Sequence, residues 1–310
     1  MIALPDVETL MAGGLGEWLQ AKTDERAKAR EKVFWTRVTG VIAGVVVAAI
    51  VWIFGWPIHF AGFGALFFGG LFFAWAQSIR QKMVNSLKQE MNGALAQSLG
   101  IVFRVSPSAG PEFELAREYG LLPSYDNSRF EDAWSGSVEG TDFLLYEAKL
   151  TEERGSGKDR RTVTVFRGIL LRMRFARAFQ GTTLVRREGF KFTLFGDSKS
   201  YGGQKLERIK MVDPRFEDAF DVYGSDQVEG RYLVHPAYCE RLVELETSFA
   251  GEKLSALFHG GDLLVTISTE DMFESATLDP ANDRKRLGQT IEQFASIDKL
   301  IRTLNERPRG

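Results

Sequence analysis

One stretch of this sequence limits its fold more than any other: from Val38 to Ile79 the chain contains no Asp, Glu, Lys or Arg. A single helix of this length would be roughly 60 Å long, about twice the hydrocarbon thickness of a bilayer. The run divides at residues 55–57, where a glycine and an interfacial tryptophan precede a proline that disfavours helix in the residue before it. We therefore predict a two-helix transmembrane hairpin over residues 38–76, with legs Val38–Gly55 and Ile58–Ala76.

A signal peptide and a re-entrant hairpin are the alternatives for this apolar run. Residues 74–76 read Ala-Trp-Ala and resemble a signal-peptide cleavage site, but the apolar region is too long and begins too far from the N-terminus for a signal peptide. A hairpin that enters one leaflet and returns remains an alternative, although each leg is long enough to span.

The charges on either side of the run predict its orientation. Basic residues precede and follow the hairpin, whereas the connecting turn has none, so both ends should be cytoplasmic by the positive-inside rule. Gly40 and Gly44 form a GxxxG pattern, which favours close helix packing within the hairpin over a dedicated dimer contact. The flanking basic residues are Lys22, Arg26, Lys28, Arg30, Lys32 and Arg37 before the hairpin, and Arg80, Lys82 and Lys88 after it.

The rest of the chain predicts an α+β fold, with the hairpin followed by a mostly antiparallel cytoplasmic sheet and packed helices. Residues 1–37 are a polar helical lead-in, 77–105 an amphipathic helix with a linker, and 106–310 the cytoplasmic α+β domain. Strands and helices do not alternate regularly, which argues against a doubly wound sheet. The predicted strands are Val138–Leu150, Thr162–Arg174, Thr182–Arg187, Phe190–Phe195, Leu206–Met211, Val228–Val234, Leu254–His259 and Asp262–Ser268, and the predicted helices are Pro236–Gly251 and Asp283–Glu306.

Composition excludes several functional classes. A net charge of −2 argues against nucleic acid as a partner. The sequence has no HxxxH, CxxC or HExxH pattern, so we predict no metal site, no cofactor and no catalytic residues. His235 lies four residues before the single cysteine, Cys239, and could activate its thiol, but a capping histidine and a core cysteine are far commoner.

An Arg-Phe-x-x-Ala-aromatic pattern occurs three times, at Arg129–Trp134, Arg174–Phe179 and Arg215–Phe220. The aromatic residues lie four apart, so we predict short helical turns that bury both rings, with an ancient duplication as the alternative. The last copy leads into a polar turn and the predicted strand Val228–Val234. Its candidate interaction edge comprises Asp226, Gln227, Glu229 and Arg231.

At this point the chain resembles a known family. The segments VYGSDQVEGRYLVHP, FEDAF, VFRGILLRMRF, FQGTTLV and LLPSYD are similar to the bacterial membrane-protein family called domain of unknown function 3137, over a region from the hairpin to about Leu278. The resemblance implies a multi-pass protein of the bacterial inner membrane with a cytoplasmic domain, and it supplies no catalytic residues to carry over.

The resulting functional hypothesis is a membrane-anchored cytoplasmic interaction or scaffold domain. A lipid- or small-molecule-binding domain is the first alternative and a hydrolase the second. The predicted partners are the lipid bilayer and a protein, and self-association into a homo-oligomer is also compatible with the sequence.

Overall fold

A computed structural model describes residues 4–55, 57, 59–138, 140–174, 179–187, 198–211, 217, 220–248, 251–270, 273 and 275–305. These residues fall into two compact units. The helical unit comprises the described residues within Asp6–Ala94 and Glu274–Gly288. The sheet unit comprises those within Met1–Pro5, Leu95–Phe273 and Gln289–Gly310.

The N-terminal part of the chain forms four helices, α1 (Val7–Ala12), α2 (Gly14–Ala21), α3 (Thr23–Ile53) and α4 (His59–Leu99). Helices α3 and α4 are long and apolar enough to cross a membrane by length and composition. The chain turns between them after Phe54 and Gly55, where Gly55 adopts a φ of +66°. The predicted division of the uncharged run is therefore confirmed, and the polar residues 23–37 continue directly into the first apolar leg.

In the described residues, the sheet unit contains a sheet of ten strands, and every described pairing is antiparallel. Its order is β1-β2-β3-β4-β10-β9-β5-β8-β7-β6. The strands are β1 (Val102–Arg104), β2 (Asn127–Val138), β3 (Thr141–Arg154), β4 (Arg161–Arg174), β5 (Thr183–Arg187), β6 (Ser198–Tyr201), β7 (Gln204–Arg208), β8 (Phe220–Gly224), β9 (Glu252–His259) and β10 (Asp262–Ser268). Among the described residues after β1, the α-helices are α5 (Pro111–Glu118), α6 (Gln227–Leu233), α7 (Pro236–Ser248) and α8 (Asp283–Asn305).

Most of the predicted elements are present. The β3–β4 and β9–β10 hairpins, strand β5, and helices α7 and α8 confirm the prediction within a few residues, and the α+β class is confirmed. The sheet starts at Val102, ahead of residue 106, where we expected the domain to begin. The predicted strand Phe190–Phe195 lies outside the described residues.

Both faces of the central part of the sheet are covered, which explains the apolar runs in β3, β4, β9 and β10. One face carries Tyr146, Leu170, Leu257 and Leu184, which form a buried cluster with residues of α5 and of the segment that follows it. The opposite face is covered by helices: Tyr238 on α7 contacts the ring of Phe258 on β9, and Phe294 on α8 contacts the ring of Trp134 on β2. Its central row runs in register through Leu145, Leu171, Val265, Ala256, Val185 and Val222.

The first copy of the aromatic pattern is not helical, so that prediction is wrong. Residues 129–134 belong to β2, whose register shifts between Glu131 and Trp134, and Asp132 adopts a φ of +51°. In a regular strand, residues four apart share a face, but this bulge places Phe130 and Trp134 on opposite faces. Both rings still pack into the interior, Phe130 at the α5 face and Trp134 at the α8 face. Phe175 and Phe216, from the other copies, lie outside the described residues.

Candidate functional site

The candidate interaction edge is a short helix, not the strand that we predicted. Asp226 precedes α6 in an extended conformation, and its carboxylate accepts hydrogen bonds from the backbone amides of Val228 and Glu229, each at 2.8 Å. This is an N-cap arrangement, in which an aspartate satisfies amides that the first helical turn leaves unpaired. The cap stabilises a helix where the alternation of apolar and polar residues had indicated a strand.

Glu229 connects α6 to the loop before β5 through hydrogen bonds. Its carboxylate accepts hydrogen bonds from the backbone amides of Gln180 at 3.0 Å and Gly181 at 2.6 Å. A Cβ atom at position 181 would collide with the same carboxylate, so a larger residue there would force the flexible Glu229 side chain to shift. Ser225 adds a further contact, because its hydroxyl accepts a hydrogen bond from the Thr182 amide at 2.8 Å.

The other two residues of the predicted edge connect α6 to the end of β7 and to the residues after it. Gln227 donates from Nε2 to the carbonyl oxygen of Arg208 at 3.1 Å. Arg231 donates to the carbonyl oxygens of Lys210 at 3.3 Å and of Gln227 at 3.2 Å. The structure therefore brings Asp226, Gln227, Glu229 and Arg231 together on one short helix, where each makes at least one contact that positions it.

The outer side of α6 is partly apolar. Val228 is 77% exposed and Tyr232 is 52% exposed, and a separation of four residues places them on the same side of a helix. Gly230, on the inner side, packs so closely on Ile209 that a Cβ atom would overlap that side chain. We call Val228, Arg231 and Tyr232 the outer face of α6. The predicted strand had placed Val228 and Tyr232 on one face with Gly230, so their exposure was not predicted.

The structure assigns His235 and Cys239 to packing and capping around the start of α7. The imidazole Nδ1 of His235 accepts a hydrogen bond from the Tyr238 amide at 3.4 Å. Cys239 is buried, and its Sγ lies 3.9 Å from the carbonyl oxygen of Val234. These contacts are those of a capping histidine and a core cysteine.

A second polar cluster, which no sequence pattern indicated, surrounds His259 at the end of β9. Its Nδ1 lies 3.0 Å from the Thr182 hydroxyl and 3.4 Å from the Tyr119 hydroxyl. The Thr182 hydroxyl donates its single proton to Gln204 Oε1 at 2.9 Å, so it is an acceptor toward His259. The cluster connects segments that are distant in sequence, and only the sheet topology brings them together.

Each unit also contains a buried contact between ionisable side chains. In the sheet unit, the Tyr146 hydroxyl donates to Glu112 Oε1 at 3.1 Å, and burial together with this carboxylate raises the pKa of Tyr146 well above its usual range. In the helical unit, the fully buried Arg26 donates from Nη1 to Asp283 Oδ2 at 2.6 Å. Burial raises the pKa of the Asp283 carboxyl, and Arg26 opposes part of that rise. Among the described residues, no group of three or more His, Cys, Asp or Glu side chains could hold a metal ion.

The architecture defines an α+β protein with a large antiparallel sheet and two long apolar helices near its N-terminus. Residues 164–306 match the model of the family described as "Protein of unknown function (DUF3137)", which confirms the family predicted from the sequence. The match begins within β4, so the apolar helices and the first three strands lie outside it, and it extends past Leu278, where we expected the resemblance to end. The match indicates no catalytic family.

The comparison with solved structures found the crystal structure of the mycobacterial trehalose monomycolate transport factor A, TtfA. The sequence identity is 10% and the TM-score is 0.38, with 73% of this chain and 98% of that chain covered. At this level of similarity, no conclusion about the present protein follows. The comparison with curated proteins found no match.

Proposed function

We propose that this protein is a membrane-anchored scaffold, in which the hairpin of α3 and α4 spans the bilayer and the outer face of α6 binds a partner protein. The exposed apolar surface of the hairpin is the observation that supports the anchor. In the apolar stretches of α3 and α4, only 22% and 6% of the residues are buried. The large apolar side chains that are exposed in α3, in the turn after it and in α4 include Phe34, Trp35, Val41, Ile42, Val45, Val46, Ile50, Trp52, Ile53, Phe54, Phe60, Phe63, Leu66, Phe67, Phe68, Leu71, Phe73 and Trp75.

A water-soluble protein would not leave such a continuous apolar surface uncovered. The core helix of a soluble protein, which is the principal alternative, would have its apolar stretch mostly buried. The basic residues on either side of the hairpin favour a location for both termini in the cytoplasm. The family resemblance supports the inner membrane of a bacterium as the location.

The outer face of α6 has the composition of a protein interface. Tyrosine and arginine are enriched at such interfaces, where an exposed ring can be buried and an arginine can meet a carboxylate. The contacts of Gln227 with the end of β7 and of Glu229 with the loop before β5 hold the helix in place, so Val228 and Tyr232 are presented from a fixed position. Binding would therefore require little ordering of the helix itself.

The alternatives receive less support from the sheet unit. For the lipid- or small-molecule-binding domain, a cavity of about 310 Å³ between α7 and α8 has three charged side chains, Arg241, Glu244 and Lys299, beside Val243 and Leu245 in its lining. This volume lies at the lower end of the range of ligand pockets, about 300–1,000 Å³. For the hydrolase, His235 and Cys239 are joined to backbone groups at the start of α7.

The anchor and the partner surface can be tested separately. Alkaline carbonate extraction of native membranes should leave the full chain in the membrane pellet, and its release into the supernatant would contradict the anchor. For the partner surface, a photo-crosslinking amino acid at position 228 should capture a discrete partner in native membranes. Val243 on α7 is 41% exposed and provides a matched control position.

We expect the crosslink at position 228 to disappear when Tyr232→Ser is added, and position 243 to give no such product. If positions 228 and 243 capture the same proteins, or if Tyr232→Ser leaves the crosslink unchanged, the outer face of α6 is not the binding surface.

A further inference from the structure

A groove runs along one side of the hairpin, between α3 and α4, with a volume of about 480 Å³. Its residues recur at separations of three and four along each helix, so each set forms a single stripe. The groove is lined by Arg37, Gly40, Val41, Gly44, Val45 and Ala48 from α3, and by Ala65, Gly69 and Phe73 from α4.

Glycines contribute to this groove in two ways: one lets the helices pack closely, and another leaves space beside it open. Gly40 allows the helices to approach, because a Cβ atom there would lie 2.6 Å from the Cβ of Phe72. A Cβ atom at Gly69 would meet nothing within 4 Å, so the space beside this residue is open. Val41 and Val45 are 68% and 63% exposed, so the groove opens onto the surface of the hairpin and not into the interior of the helical unit.

Arg37 is the single charged residue of the groove lining, and it lies at the start of the uncharged run. Its guanidinium carbon is 5.4 Å from the centre of the Phe73 ring, so a cation lies directly beside the apolar channel. Within the described part of the chain, Arg37 is exposed and forms no ion pair with a carboxylate. The groove thus has a cation beside a channel of otherwise apolar walls.

We propose that this groove binds one acyl chain of an anionic phospholipid, with the lipid phosphate at Arg37. The inference rests on the proposed insertion of α3 and α4 into a membrane. In that setting, an arginine at the end of a transmembrane helix lies at the depth of the lipid phosphates, and the apolar channel extends toward the hydrocarbon. A lipid headgroup without its own cation should bind best, because Arg37 is then the positive charge nearest to the lipid phosphate.

A second copy of the hairpin fits the groove less well. In a two-fold dimer about an axis along the membrane normal, equivalent residues lie at the same depth. The two Arg37 guanidinium groups would then approach each other at the interface and repel. A lipid phosphate places the opposite charge at the same position.

The test measures lipid retention on the full chain, purified in a mild detergent, by native mass spectrometry. The probes are phosphatidylglycerol and phosphatidylcholine with identical acyl chains. We expect phosphatidylglycerol to be retained preferentially. Arg37→Gln should weaken its retention by about fivefold, the effect of one basic side chain at an anionic surface, whereas Arg37→Lys should largely preserve it.

Two matched controls separate the groove from general effects on the hairpin. Gly69→Leu should fill the groove and reduce the retention of both lipids, whereas Gly70→Leu should not, because Gly70 also has open space around it but does not line the groove. Lys32→Gln removes an exposed charge outside the groove and should leave the preference for phosphatidylglycerol intact.

Equal retention of the two lipids, or wild-type retention by both Arg37→Gln and Gly69→Leu, would overturn the inference. A Val41→Cys variant that forms a disulfide-linked dimer, lost on adding Gly69→Leu, would show that a second copy occupies the groove instead. Carbonate extraction tests the membrane anchor separately. A chain that stays in the membrane but does not select a lipid would refute lipid binding in the groove and leave the proposed anchor intact.

Discussion

Tyr146 and Tyr238 allow a direct measurement of what a hydrogen bond contributes inside the sheet unit. Their side chains are 1% and 0% exposed, so replacement of either by phenylalanine removes one oxygen atom from an equally buried position. The Tyr146 hydroxyl donates to the buried carboxylate of Glu112. Within the described residues, the Tyr238 hydroxyl has no hydrogen-bond partner. Tyr146→Phe should therefore destabilise the sheet unit, whereas Tyr238→Phe should not.

The expected magnitudes follow from these contacts. A hydrogen bond to a charged group contributes about 1.5–3 kcal/mol, so Tyr146→Phe should lower the free energy of unfolding by about that amount. An unpaired buried polar group costs about 1–3 kcal/mol, so Tyr238→Phe should be neutral or stabilising. For a unit of this size, 1 kcal/mol corresponds to about 2–4 °C in Tm, which predicts a gap of several degrees between the two variants.

Thermal unfolding of the detergent-solubilised full chain, followed by near-ultraviolet circular dichroism, provides the measurement. Tyr232→Phe, at an exposed position, is the control and should leave Tm unchanged. An equal decrease of Tm in both buried variants would refute this account, since removal of a hydroxyl would then cost the same with and without a partner.

The same two residues also predict a dependence on pH. Burial raises the pKa of both hydroxyls, and at Tyr146 the Glu112 carboxylate raises it further. The folded protein therefore keeps these protons at pH values where the unfolded chain, with a tyrosine pKa of about 10, releases them. The free energy of unfolding is therefore independent of these two protons below pH ~10 and falls as the pH rises above it. Each phenylalanine variant should show a shallower loss of stability in that range than the wild type, and an unchanged slope would contradict the assignment.

Three further predictions concern other parts of the chain. Phe220 is buried on β8, so Phe220→Ala should lower the free energy of unfolding by about 3–5 kcal/mol. Arg231→Ala removes only exposed hydrogen bonds on α6 and should lower it by less than about 1 kcal/mol. Denaturant melts compare the two variants, and similar losses would contradict a surface role for Arg231. Asp283→Asn would leave the buried Arg26 without its counter-charge and should lower the free energy of unfolding by about 3–5 kcal/mol. A double variant, Asp283→Leu with Arg26→Met, should recover most of that stability. A double variant as unstable as Asp283→Asn would refute this account of the pair. Protease added outside spheroplasts should spare a C-terminal tag, and its removal while a cytoplasmic marker survives would reverse the proposed orientation.

The sequence alone determined those parts of the protein in which one local signal dominates. The uncharged run predicted two apolar helices over residues 38–76, because a helix pairs its backbone groups within itself when no water is available to them. The Gly260–Gly261 turn fixed the β9–β10 hairpin, and Pro236 marked the start of α7. In each case neighbouring residues supply the signal, so no knowledge of distant contacts was needed.

Tertiary structure decided the elements whose local signals are ambiguous. Residues 227–233 alternate as a strand would, but the Asp226 cap and the contacts of Glu229 with the loop at Gly181 stabilise a helix. The four-residue spacing of Phe130 and Trp134 is helical in pattern, yet β2 is held between β1 and β3, and a bulge sends the two rings to opposite faces. Short segments gain little free energy from their own propensity, so contacts with residues distant in sequence select their conformation.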